Sequence, residues 1–170
     1  MALNSNREAI GKALVYVVQQ VIDPSTSTAL FPLVKLGAVF DPGAYTQWAQ
    51  VAHYRGQQKP AGSGGNQIGW RRDDEVIFMI TSAYGPYQLN DSTAQINMLH
   101  AQDLLLPSLD THFQLPDASN PVNAVQSVYS VLPIQVDLSE PRKFPNGNVY
   151  LLWHVPVIVK QQFNISLVQP

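Results

Sequence analysis

The chain reads as an α+β domain, a mostly antiparallel sheet with two helices packed on it and a long flexible loop. Three observations predict this. Two segments, near the N-terminus and around residue 100, carry apolar residues at helical spacing. Several other segments are rich in β-branched and aromatic residues and are bounded by Gly, Pro and Asn. A stretch with four glycines, KPAGSGGNQIG, separates two parts of the chain as a loop. With 170 residues and no cysteine, a single domain over 1–170 holds its core by burial alone, without disulfides or Cys-based metal sites.

Ser5 and Glu8 have the spacing of a capping box, and Ile10, Leu14, Val17 or Val18, and Val21 follow at helical intervals. Residues 6–21 are therefore expected to form an amphipathic helix ended by Asp23-Pro24, with strand as the fallback because of the valines. A polar loop, Ser25 to Thr28, leads to a strand-like run from Leu33 to Phe40, stopped by Asp41-Pro42-Gly43. Residues 44–55 read either way: Tyr45, Trp48, Val51 and Ala52 sit at helical spacing, yet their content also suits a strand. Residues 57–70 are expected to be a flexible loop. Glu75 to Tyr84 is the clearest strand, ended by Gly85-Pro86. Asp91 or Ser92 caps a second helix with Ala94, Met98, Ala101 and Leu105 on one face, interrupted at Pro107, with a helical turn through Phe113. A polar linker, Pro116 to Asn123, precedes a strand over 125–137, and 148–168 reads as a long strand. Pro133 and Pro156 fall inside these two runs, which places at least one of them at a sheet edge or bulge.

The charge content is low. Charged residues make up 13% of the chain, against about 25% in ordinary soluble domains. An uncharged polar surface is covered by a partner at smaller desolvation cost. The charges are also uneven: Arg71 to Glu75 are five in a row, whereas the segment after Lys143 carries only Lys160. No apolar run approaches the roughly 20 residues that span a bilayer, and the first residues lack the pattern of a signal peptide, so a soluble, non-secreted chain is expected.

Candidate chemistry is sparse. His53, His100, His112 and His154 include two pairings with carboxylates, His100 with Asp103 and Asp110 with His112, but neither is a metal signature. Asp73-Asp74-Glu75 is expected to be a solvated strand entrance or an intersubunit ion pair, because adjacent carboxylates in a charged loop seldom acquire separated pKa values. The glycines at 62–65 lack the G-K-[ST] that completes a phosphate loop. Tyr54, Arg55, Lys59, Trp70, Arg71 and Arg72 mix cations with stacking rings, which suits either single-stranded nucleic acid or a protein partner. The net charge of -2 disfavours nucleic acid. Tyr54, Arg55, Trp70, Arg71, Arg72, Arg142 and Lys143 are therefore the expected partner-binding residues, and no catalytic, cofactor or metal site is expected.

The element order, with helix 6–21, runs Leu33 to Phe40 and Glu75 to Tyr84, helix Ser92 to Leu106 and hairpin Ala124 to Ser166, resembles the tail terminator proteins of long-tailed bacteriophages. This chain is longer than their small members, through 41–70 and 116–124. The resemblance implies a non-enzymatic subunit of a commonly hexameric ring in the virion, assembled in the host cytoplasm. Such a ring caps the tail tube, stops its polymerisation and joins it to the head. Its implied partners are further copies of itself, the tail tube protein and a head-neck connector protein, with no cofactor and no membrane. Two alternatives stand beside it: another morphogenesis component, such as a head-completion or baseplate subunit, and a small enzyme using His100, Asp103, Asp110 or His112.

Overall fold

The structure is a computed structural model that describes residues 7–39, 41–61, 70–110, 115–125, 128–134 and 139–165, with side chains for all of these except 57–61, 70–73, 122–124 and 163–165. In chain order the elements are α1 (Arg7–Gln19), β1 (Ile22–Asp23), β2 (Thr28–Ala29), β3 (Val34–Leu36), β4 (Gln47–Ala61), β5 (Trp70–Tyr84), α2 (Thr93–Asp110), β6 (Pro116–Asp117), β7 (Asn120–Ala124), β8 (Val128–Pro133), β9 (Ser139–Lys143) and β10 (Val149–Ile165). The main sheet runs β3-β4-β5-β10-β8, and β9 pairs with β10 on the same side as β8. Every pairing in it is antiparallel except β3 with β4. The α+β class read from the sequence holds.

Period-two alternation explains why the helices lie on one face. On β5, Val76, Phe78 and Ile80 point one way; on β10, Leu151, Trp153, Val155, Val157 and Val159 do the same. These residues form one core with Ile10, Leu14 and Val17 of α1 and Met98, Ala101, Leu105 and Leu109 of α2. The other face has a smaller cluster at one end, where Val39, Trp48, Ala83, Tyr150 and Leu152 pack with Leu33 and Phe144. Ile77, Met79, Pro156 and Ile158 continue that face and remain partly exposed.

Several sequence expectations shift in position. Helix α1 spans Arg7–Gln19 within the expected 6–21, and Ser5, the proposed cap, lies outside the described residues; Glu8 bonds Lys12 one turn on. The run from Leu33 yields only the three residues of β3, because Gly37 adopts φ of 91° and turns the chain away. The backbone N–H of Val39 then donates to the Gln50 side chain in place of a strand partner. Residues 44–55 resolve as strand from Gln47, since Trp48 and Ala49 are buried on opposite faces, which a helix stripe would not do. Strand also replaces loop at 57–61 and at Trp70, and the rest of the expected 57–70 loop, 62–69, lies outside the described residues.

Helix α2 does not stop at Pro107 but continues to Asp110. Pro107 removes one backbone bond on the exposed side, while Leu105 and Leu109, four apart and fully buried, hold the turn to the core. Of the expected helical turn through Phe113, residues 108–110 form the end of α2 and 111–113 lie outside the described residues. At the start of α2, Ser92 accepts the first helical bond from Ile96, and Asp91 accepts the backbone N–H and hydroxyl of Thr93. Those bonds, the hydroxyl first, hold the Asp91 carboxyl below its ordinary range.

Both strand prolines have a place. Pro133 closes edge strand β8, as expected. Pro156 lies inside β10, but its carbonyl accepts from Ile134 on the β8 side, and a residue's N–H and C=O leave an antiparallel strand on the same side. Its missing N–H therefore falls in the gap between β9, which pairs up to Trp153, and β8, which pairs from Val157.

The alternation makes a direct prediction. Ile80→Ala, on the helix-covered face, lowers unfolding free energy in urea by about 2–5 kcal/mol, whereas Ile77→Ala, on the opposite face, costs under about 1.5 kcal/mol. Equal losses would contradict the assigned faces.

Candidate functional site

The sequence-predicted partner residues fall into two groups at opposite ends of β10. Arg142 pairs in register with Tyr150, and Arg72 with Phe163, so the two groups are separated by roughly 40 Å of strand.

The first group sits where the sheet leaves the helices. Pairing of β4, β5 and β10 continues past Val76, the last apolar core residue of β5 among those whose side chains are described, as a three-stranded ribbon over 57–61, 70–73 and 162–165. Trp70 lies opposite Ile165, Arg71 opposite Ala61 and Asn164, and Arg72 opposite Pro60 and Phe163; their side chains lie outside what the structure describes. At the base, a bulge between His53 and Arg55 makes Tyr54 the extra residue of β4, and its ring is 64% exposed. The bulge also reverses the alternation. Arg55 lands opposite Ile77, on the face away from the helices, and Gly56 lands opposite Val76, on the helix side.

That placement of Gly56 matters to a trio the sequence reading misjudged. Asp74 is only 1% exposed, not solvated. Its carboxylate accepts from Arg7 Nη2 of α1 at 2.9 Å and from Gln161 Nε2 of β10 at 2.6 Å. Gly56 leaves room for the guanidinium, since a Cβ there would lie 2.6 Å from Arg7 Nη2. The neighbouring Glu75 faces the other way and meets Lys160 at 4.0 Å in the open. A clue was legible: Asp74 shares parity with Val76, Phe78 and Ile80, so it had to face the core side.

The second group borders a cleft of about 260 Å³ on the helix-free face. Its floor is Trp48, Gln50, Thr81, Leu152 and His154; its walls are Ala38 and Val39 on one side and Arg142 to Pro145 on the other. Trp48, Phe144 and Tyr150 meet edge to face with centroids 5.2–5.9 Å apart, a favourable arrangement of ring quadrupoles. The β9–β10 turn that carries Phe144 is held by Asn146, whose amide donates to the Gly43 carbonyl and the Tyr150 hydroxyl, and by Gly147 at φ of 85°. Strand alternation sets Glu140, Arg142 and Phe144 on the cleft face with Leu152 and His154. Arg142 lies over the Phe144 ring at 5.9 Å. His154 Nδ1 is 2.9 Å from the Thr81 hydroxyl, and its Nε2 is 3.5 Å from Glu140. Sequence reading singled out Arg142 and Lys143 but missed Trp48, Gln50, Thr81 and Phe144, which come from three separate segments.

The histidine and aspartate candidates do not converge. His53 packs edge-on against Phe78. His100 meets Asp23 at 3.2 Å rather than joining Asp103, and Asp23 is held below its ordinary range mainly by the hydroxyl and backbone N–H of Ser25, with His100 adding less. His112 lies outside the described residues. Among the described residues no group of three or more His, Asp or Glu is placed to hold a metal ion, and no helix is long and apolar enough to cross a membrane.

No protein-family model matches the chain, and no curated protein matches it. Among solved structures, it is similar to a chain of the virion of a native gene transfer agent particle, at a TM-score of 0.48 and 9% identity, covering 95% of this chain and 99% of that one. It is also similar to the sheath/tube terminator, in the extended state, of PVC, an extracellular contractile injection system, at a TM-score of 0.48 and 11% identity. That match covers 95% of this chain and 58% of the other, so the present chain spans little more than half of it.

Removing the buried carboxylate distinguishes the two acidic neighbours. Asp74→Ala strands the Gln161 amide and the Arg7 guanidinium and lowers stability in urea by about 1–3 kcal/mol, while Glu75→Ala changes it by less than about 1 kcal/mol. The reverse ranking would return Asp74 to the solvent.

Proposed function

We propose that the chain is a non-enzymatic structural subunit of a phage-like tail, a ring-forming terminator that caps the tail tube and joins it to the head. The observation that carries the reading is the ribbon of β4, β5 and β10 beyond the helices. Strand pairing there continues past Val76, the last residue of β5 in the helix-packed core among those whose side chains are described, and a neighbouring subunit would pack against this three-stranded extension. The element order, with its resemblance to tail terminators, and the low charge of the chain support the same reading. In it, Tyr54, Arg55, Trp70, Arg71 and Arg72 belong to subunit–subunit contacts within a hexameric ring, and Arg142 and Lys143 meet the tail tube or the head-side connector.

Symmetric rings impose a heterologous interface, in which one patch of each copy meets a different patch of the next. Trp and Arg near the centre of such a contact carry a large share of its energy. Mass photometry and negative-stain microscopy of the purified chain, alone and with its tail tube protein, are expected to show a discrete oligomer with ring outlines. Trp70→Ala combined with Arg71→Glu is expected to shift it toward monomer without loss of folded signal. A chain that stays monomeric in both mixtures, or assembly indifferent to those changes, would defeat the proposal.

A further inference from the structure

The cleft between the β9–β10 turn and β4 has a donor-rich, aromatic character that gives the contact proposed above for Arg142 and Lys143 a definite chemistry. Its volume of about 260 Å³ lies below that of pockets for drug-sized ligands, roughly 300–1,000 Å³, and matches one or two side chains of a peptide better than a cofactor. Three groups, Arg142, Lys143 and Gln50, offer accessible donors. Arg142 is stacked over Phe144, which leaves the in-plane N–H edge of its guanidinium for an acceptor. Among the described residues neither Arg142 nor Lys143 makes an ion pair. Gln50 uses its side-chain oxygen to accept from Val39, so its NH₂ remains as donor. The indole N–H of Trp48 also lacks a hydrogen-bond partner among the described residues, but Trp48 is 1% exposed, so this donor is closed to a ligand. Against these stands, among the described residues, one carboxylate on the cleft face, Glu140, which is turned to His154. A site rich in unpaired donors, walled by rings and poor in acceptors complements an anion with apolar neighbours.

We propose that this cleft docks an acidic segment of a partner protein, with an Asp or Glu carboxylate received by Arg142 and Gln50 and an adjacent apolar side chain laid against the partly exposed ring of Phe144, above Trp48. The carboxylate accepts in-plane N–H bonds from Arg142 while Lys143 adds charge at the rim, and Glu140 opposes the approach. Binding at this cleft is independent of whether the ribbon builds a ring, so the two proposals fail separately.

The test uses the full chain labelled with nitrogen-15, titrated with acetylated, amidated Leu-Asp-Glu-Leu and with its neutral counterpart Leu-Asn-Gln-Leu. The acidic peptide is expected to move the Trp48 indole signal and the amides of Gln50, Thr81 and Phe144 saturably. Its affinity is expected to fall at least about fivefold between roughly 50 mM and 500 mM salt, as screening shortens the reach of the cations. R142Q/K143Q is expected to weaken binding at least about tenfold, and Glu140→Gln to strengthen it. No saturable shift, an equal response to the neutral peptide, or indifference to R142Q/K143Q would overturn the proposal. Should the double variant disturb the spectrum, Glu140→Gln decides alone: unchanged or weaker binding would overturn it as well.

Discussion

Uninterrupted pairing between β5 and β10, from Tyr84 with Leu151 to Trp70 with Ile165, fixes the rest of the molecule. Because the side-chain period is two and the register never slips, every residue on these strands is committed to one face. One face is apolar from Val76 to Ile80 and from Leu151 to Val159, so α1 and α2 must lie there. The other face receives Trp48, Tyr150, Leu152 and His154 at one end and Ile77, Ile158 and Lys160 toward the other. A single shift in this register would exchange the buried and exposed sets along both strands. The bulge in β4 occurs where such an exchange is tolerated, at the outer strand, and it delivers Arg55 and Gly56 to the faces where each is used.

Where the helices end, the sheet still continues, and the boundary is marked by Arg7, Asp74 and Gln161. A buried carboxylate is costly unless paired and hydrogen-bonded, and Asp74 is both. The three side chains come from α1, β5 and β10, so the trio ties the first described turn of α1 to the two central strands, two residues beyond Val76 on β5 and two beyond Val159 on β10. It contributes less net stability than an apolar trio of the same volume could. What it supplies is position: an ion pair with directional bonds locates the helix end along the strands, which apolar contact alone does with less precision. The ribbon and the aromatic cleft thus occupy opposite ends of one continuously paired sheet.

Much of the fold was legible because long periodic signals dominate local ambiguity. Val76 to Ile80 and Val149 to Val159 announce strands, and Ile10, Leu14, Ala101 and Leu105 announce helix faces, through burial patterns that tertiary packing reinforces. The errors arose where two signals competed. Pro107 outweighed Leu109 in the reading, whereas burial of Leu109 outweighed Pro107 in the fold. The glycines at 62–65 extended a loop over residues that pair as strand on either side. Asp74 was grouped by sequence adjacency with Asp73 and Glu75, although alternation separates neighbours onto opposite faces. The cleft was hardly legible at all. Arg142 and Lys143 stood out as charges, but Trp48, Gln50, Thr81 and Phe144 meet only through long-range strand pairing, which no local pattern encodes.

The central claim is that β4, β5 and β10 remain one paired sheet beyond the helix-covered core. Hydrogen–deuterium exchange of backbone amides tests it most directly, because exchange reports the opening of each strand bond separately. Protection is predicted to extend from the core into residues 57–61, 71–73 and 162–165, lower than at Val76 to Ile80 but well above that of unpaired chain. Amides there that exchange as fast as an unstructured peptide, with protection ending at Asp74 and Gln161, would contradict the account.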